Sequence, residues 1–202
     1  MALSETQICN MALKTIGSSR INDLYTDTSS EAAACRDFYE AVRDACLRMY
    51  DWPFARARAE LSQDTNTPDF EWDYAFLLPQ DYLSLRKNYT ESRFTERGKR
   101  FEIEGKRLLT NDSKVQLKYI RKVTDPNEFD PLFVELLVLK LAVRLLFALG
   151  GIGNTGTTKD RLEQELQIIE RKAKTVSASE AATEGRSDWN MAAHSGLTID
   201  EE

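Results

Sequence analysis

Residues 130–151 read DPLFVELLVLKLAVRLLFALGG, and the reading of this run decides the fold. Its apolar part, Pro131–Leu149, is long enough to suggest a membrane span but carries Glu135, Lys140 and Arg144 within 19 residues. Each charge at bilayer depth costs about 2.5–3.5 kcal/mol, and the run is short for a hydrocarbon core of about 30 Å. It therefore reads as a central helix buried on most sides. Asp130 followed by Pro131 supplies an N-cap and a proline at the first helical position. Gly150-Gly151 ends the helix.

A central helix needs others around it. Upstream, residues 5–16 place Ile8, Ala12, Leu13 and Ile16 on one face. Ser4 and Gln7 form an S-x-x-Q capping box, and Gly17 supplies the stop. Residues 30–50 form a second amphipathic helix whose stripe is Cys35, Phe38, Tyr39, Val42, Ala45, Cys46 and Met49. Glu31, Asp37, Glu40, Arg43 and Asp44 are expected on its solvent face. Cys9, Cys35 and Cys46 read as small core residues, since no CxxC pair accompanies them and His194 is the lone histidine. Downstream, 150–158 reads as a glycine-rich hinge rather than a phosphate loop, because it follows a helix and lacks G-K-[ST]. Residues 158–177 carry Leu162, Leu166, Ile169, Ala173 and Val176 as a narrow seam suited to docking on one partner. The polar stretch 179–202 is expected to order only with a partner, with Trp189 and Met191 as its apolar anchors.

Between helices two and three the periodicity changes. Phe70, Trp72, Tyr74 and Phe76 alternate as in a strand, and residues 82–89 form a second extended candidate. Residues 93–123 read as a small antiparallel meander, while 54–61 is mixed. The expected fold is α+β, mainly α: about four helices in a bundle (1–54 and 130–178), a β-rich insertion (55–129) and a C-terminal tail (179–202). Trp52, Phe54 and Trp72 are expected to seal the junction of bundle and insertion.

The 202 residues carry 27 basic and 33 acidic side chains, a net of −6. This excludes a generally basic nucleic-acid binder. The charge is uneven, however. Residues 86–122 hold twelve basic and five acidic side chains, a local +7, which leaves −13 on the rest. Arg93, Arg97, Lys99, Arg100, Lys106 and Arg107 are the candidate DNA-facing residues; the competing reading is a solvated sheet face. No nucleophile elbow, zinc-protease or dinucleotide motif occurs. The carboxylate pairs Asp69/Glu71 and Glu102/Glu104 read as solvated acids rather than a glycosidase pair. No enzyme activity and no cofactor or metal is expected.

Four segments together carry a resemblance. They are Ile8-Cys9-Asn10-Met11-Ala12-Leu13 with Ile16-Gly17 and Ile21; Ala34-Cys35-Arg36-Asp37-Phe38-Tyr39 with Val42-Arg43-Asp44; Leu47 to Ala55, containing Trp52-Pro53-Phe54-Ala55; and Tyr74 to Leu83, containing Leu78-Pro79-Gln80-Asp81-Tyr82-Leu83. In this order the chain resembles the head-to-tail adaptor of short-tailed bacteriophages, the tail tubular protein A or gatekeeper family, over about residues 4–150. The resemblance implies a structural virion protein of the tail, present in host cytoplasm during assembly. It implies a ring, usually a dodecamer, that extends the DNA channel between the portal protein and a tail nozzle of the tail tubular protein B type. Genomic DNA would pass through it, no membrane would be engaged, and the C-terminal tail would reach the portal. The alternatives are a tail-associated peptidoglycan-degrading enzyme, which a cell-wall turbidity assay detects, and a general DNA-binding module, which a steep salt dependence reveals.

Overall fold

The computed structural model describes residues 3–90, 101–150 and 155–181. The element order is α1 (Glu5–Thr15), α2 (Ser30–Met49), a 3-10 turn (Pro53–Ala55), β1 (Arg56–Glu60), β2 (Tyr74–Leu77), β3 (Tyr82–Thr90), β4 (Phe101–Glu104), β5 (Arg107–Thr110), β6 (Val115–Arg121), a second 3-10 turn (Pro126–Glu128), α3 (Pro131–Leu149) and α4 (Thr155–Ala181). The fold is α+β, mainly α.

The helix ends follow local chemistry. The Gln7 N–H donates to Ser4 Oγ at 3.2 Å and the Ser4 N–H to Gln7 Oε1 at 3.0 Å, closing the capping box of α1. Gly17 takes φ +74°, and the Ser18 N–H reaches back to Leu13 O at 3.0 Å. A side chain at that backbone angle is disfavoured, so glycine suits the stop. The Leu132 N–H donates to Asp130 Oδ1 at 2.8 Å at the start of α3.

α3 is the axis of the helical body and contacts α1, α2 and α4. Phe133, Leu136, Leu137, Leu141, Ala142 and Leu145 are fully buried. Lys140 escapes an unpaired burial by meeting Glu170 of α4 at 2.8 Å. Among the described residues, no helix is long and apolar enough to cross a membrane. α4 starts at Thr155, inside the stretch expected to be a hinge, and continues to Ala181, beyond the expected end at 177. Leu162, Ile169 and Ala173 bury the expected seam, whereas Val176 is exposed.

The β region departs from the expected single meander. The strands form two antiparallel three-stranded sheets, ordered β1-β6-β3 and β2-β5-β4. The β4–β5 hairpin exists, but β6 leaves it to lie between β1 and β3. β1 is an edge strand that the mixed sequence Arg-Ala-Arg-Ala-Glu concealed, because alanines give little apolar contrast. The aromatic alternation from Phe70 is not one strand: pairing begins only at Tyr74. Glu71 has φ +68°, and the Trp72 N–H turns back to Phe70 O at 2.8 Å. Such a left-handed residue removes the extended geometry that strand pairing needs.

β6 joins two apolar clusters. Val115, Leu117 and Tyr119 pack with Phe76 and Leu108 between the sheets. Ile120, on the opposite face of the strand, enters the helical core with Val123. In that second phase Gln116 is exposed and Lys118 half-buried, so only the Ile120 end of the strand is covered on both faces.

Candidate interaction surfaces

The Trp52-Pro53-Phe54-Ala55 turn lies where α2 hands the chain to β1. Pro53 begins the 3-10 turn, where its missing N–H costs nothing. The Trp52 indole N–H donates to Cys46 O at 3.0 Å. Its ring meets Phe133 edge-on at 5.2 Å, and Phe54 meets Phe133 at 5.2 Å and Phe129 at 6.0 Å. Phe129 precedes α3, so one aromatic knot ties the exits and entries of bundle and sheets. Trp72 corrects the expected trio: among the described residues it joins neither apolar cluster. It lines a groove beside the second sheet instead. The turn at Glu71 carries it away from the junction.

The second motif, Leu78-Pro79-Gln80-Asp81-Tyr82-Leu83, clamps β3 to β6. The Tyr82 N–H donates to Pro79 O at 3.0 Å and tightens the turn. The Tyr119 hydroxyl donates to Asp81 Oδ1 at 3.0 Å, and the Tyr82 and Tyr119 rings lie 5.9 Å apart. Burial, with the Asp81 hydrogen bond, pushes the Tyr119 hydroxyl up to about 12. A tyrosine whose folded value lies above its unfolded value of about 10 stabilises the fold below pH 10 and loses that contribution as pH rises through 12. Tyr119→Phe is therefore expected to lower the melting temperature at pH 7–9, with the gap to wild type closing between pH 10 and 12. A gap independent of pH would show that the Asp81 bond does not carry the effect.

Asn10, within the first quoted segment, fastens the loop after α1. Its Nδ2 donates to Ile21 O, and its Oδ1 accepts from the Ile21 N–H, both at 2.9 Å. Arg36 Nη1 holds the same loop through Leu24 O at 2.7 Å and Asp27 O at 2.9 Å. Arg43, expected on the solvent face of α2, is only 1% exposed. Its Nε lies 2.9 Å from Asp44 Oδ1, its Nη1 lies 3.8 Å from Glu5 Oε1, and its guanidinium lies 5.8 Å from the Tyr39 ring centroid. The docking of α1 across α2 covers that face, a tertiary event that helical spacing does not encode.

Of the candidate basic residues, Lys106 and Arg107 are described and exposed. Arg93, Arg97, Lys99 and Arg100 lie outside the described residues, as do Trp189, Met191 and His194. Arg107 Nε meets Asp64 Oδ2 at 2.7 Å. Elsewhere in the +7 stretch, Arg86 Nε is 3.5 Å from Asp51, Arg121 pairs with Glu128, and Lys122 Nζ is 3.1 Å from Asp44. All four carboxylates come from outside 86–122. The charge that accumulates along the sequence is thus partly neutralised across the fold.

Two grooves flank these features. One, of about 250 Å³, is lined by Trp72, Phe70 and both carboxylate pairs, Asp69/Glu71 and Glu102/Glu104. All four acids are exposed to solvent. The other, of about 380 Å³, runs between α2, α3 and α4 and is walled by Phe38, Ala45, Met49, Val143 and Leu166. Cys9, Cys35 and Cys46 are buried free thiols. Burial above all, opposed by Lys140 and reinforced by Glu170, pushes Cys46 up to about 12, which keeps it protonated and a poor nucleophile at neutral pH. No cluster of three metal-ligating side chains occurs among the described residues.

A scan against protein-family models returns no match, and neither does a search of curated proteins.

Proposed function

We propose that the chain is a structural adaptor of a short-tailed bacteriophage, forming a ring between the portal protein and the tail nozzle. The observation that carries this reading is the ordered set of four segments resembling the tail tubular protein A family. Their residues hold the framework together: Asn10 and Arg36 fasten the α1–α2 loop, Trp52 and Phe54 tie the helices to the sheets, and Asp81 clamps β3 to β6. A ring subunit needs such a stiff body, because each copy must present its faces in one fixed relation.

The charge arrangement supports a conduit rather than a tight DNA-binding module. DNA affinity grows with the number of phosphates neutralised. Arg86, Arg107, Arg121 and Lys122 are instead engaged by carboxylates. DNA passing such a wall meets weak, screened contacts.

Trp189 and Met191 are the proposed portal anchors, in keeping with the polar composition around them. A chain ending at residue 181 is expected to retain its melting temperature and lose co-sedimentation with portal particles. Undiminished co-sedimentation would contradict the anchor role.

The acidic groove favours one second reading, the peptidoglycan-degrading enzyme, because Trp72 and Phe70 accompany its carboxylates. Catalysis of this kind works in a site that excludes water, and these four acids are exposed. No clearing of cell-wall suspensions is expected.

A further inference from the structure

We propose that the groove between α2, α3 and α4 receives Phe70 from a second copy of the chain. This deepens the adaptor reading and rests on it for the closure of the resulting array into a ring.

Phe70 is 80% exposed, the most exposed large apolar side chain among the described residues. It stands between Asp69 and Glu71, and the left-handed turn at Glu71 takes the chain out of strand geometry there. An aromatic side chain left in water in this way forgoes about 1.5–3 kcal/mol of burial. The groove offers a matching socket. Phe38, Ala45 and Met49 of α2 face Val143 of α3 and Leu166 of α4 across it. Met49 is 41% exposed, and a methionine adapts its shape to an incoming ring. Among the described residues, the charged side chains lining the groove are Lys140 and Arg144, both cations. Lys140 is held by Glu170, whereas Arg144 lies exposed beside the apolar wall.

The two patches complement each other in shape and sign: an aromatic knob between two carboxylates, and an apolar socket with a cationic lining. An aromatic anchor filling a pocket is the usual source of interface affinity, and the charge match favours this partner over others. The knob and the socket are different surfaces of one chain. Their contact is therefore heterologous, and repeated heterologous contacts build head-to-tail arrays that close into rings when the rotation permits.

The test joins two single-cysteine variants of the full chain, Thr67→Cys near the knob and Ala45→Cys in the socket. They are mixed with and without portal particles and treated with a short bismaleimide. The native cysteines are buried, so the introduced thiols report the contact. Covalent dimers are expected only when both variants are present. Phe70→Ser or Arg144→Glu in the respective partner is expected to lower their yield by about tenfold or more. Reversing both acids, Asp69→Lys with Glu71→Lys, is expected to restore yield to the Arg144→Glu chain. Rings on the portal without this cross-link would overturn the contact and leave the adaptor reading standing. Cross-links without portal binding would support the contact and count against the adaptor reading. Efficient cross-linking of Ala45→Cys to Trp189→Cys in place of Thr67→Cys would overturn the contact by giving the groove to the C-terminal segment.

Discussion

Trp52→Ala is expected to lower the unfolding free energy by about 3–5 kcal/mol, the range for removing a large aromatic side chain from a core. Trp52 is 3% exposed and contacts Tyr50, Phe54 and Phe133, whose ring centroids lie 5.2–6.1 Å away. Its loss opens a cavity at the point where α2, α3 and the first sheet meet, and leaves Cys46 O without its donor. Such a site relaxes poorly, because each wall belongs to a different element. Trp72→Ala is the matched control. Trp72 lies outside both cores and is expected to cost less than about 1 kcal/mol, as surface substitutions do. Urea denaturation followed by far-ultraviolet circular dichroism measures both without relying on tryptophan emission. Equal losses would refute the assignment of the junction to Trp52 and Phe54 alone.

Arg43 gives the second large effect. Arg43→Ala is expected to cost about 2–4 kcal/mol, by leaving a void and by taking the cation from Glu5, while Asp44 keeps Lys122 at 3.1 Å. The Asp44 and Glu5 side chains are 26% and 21% exposed, so water relieves part of their loss. Arg43→Met keeps the volume of the stem and removes a buried charge whose Nη2 makes no hydrogen bond. Replacing a buried ionic group by an apolar one of similar size is often neutral, so this variant is expected within about 1 kcal/mol of wild type. If the two variants are equally destabilised, the charge rather than the packed stem holds α1 to α2.

Most of the helical framework was legible in the sequence. The capping box at Ser4 and Gln7, the stop at Gly17 and the Asp130-Pro131 start are local devices, and each makes the predicted bond. α3 was readable because a nearly continuous apolar run with three charges suits a buried helix and suits a bilayer poorly. The sheets were less legible. β1 hides behind alanines, β6 turns Ile120 into the helical core on a face that otherwise carries Gln116 and Lys118, and nothing local tells β6 to leave β5 for β1 and β3. The segment counted as +7 is offset by Asp51, Asp64, Asp44 and Glu128, carboxylates distant in sequence and adjacent only after folding. Trp72 was misplaced for a similar reason: alternation of aromatics suggested a strand that Glu71 interrupts. Arg43 was placed on the wrong face because the covering element, α1, is not visible in the periodicity of α2.

The central claim is that copies of this chain assemble on a portal. Electron microscopy of purified portal particles mixed with a molar excess of the full chain tests it most directly. The account predicts an added ring of fixed rotational symmetry beneath the portal, continuous with its channel. Portal particles that remain unchanged at saturating chain concentration would contradict it.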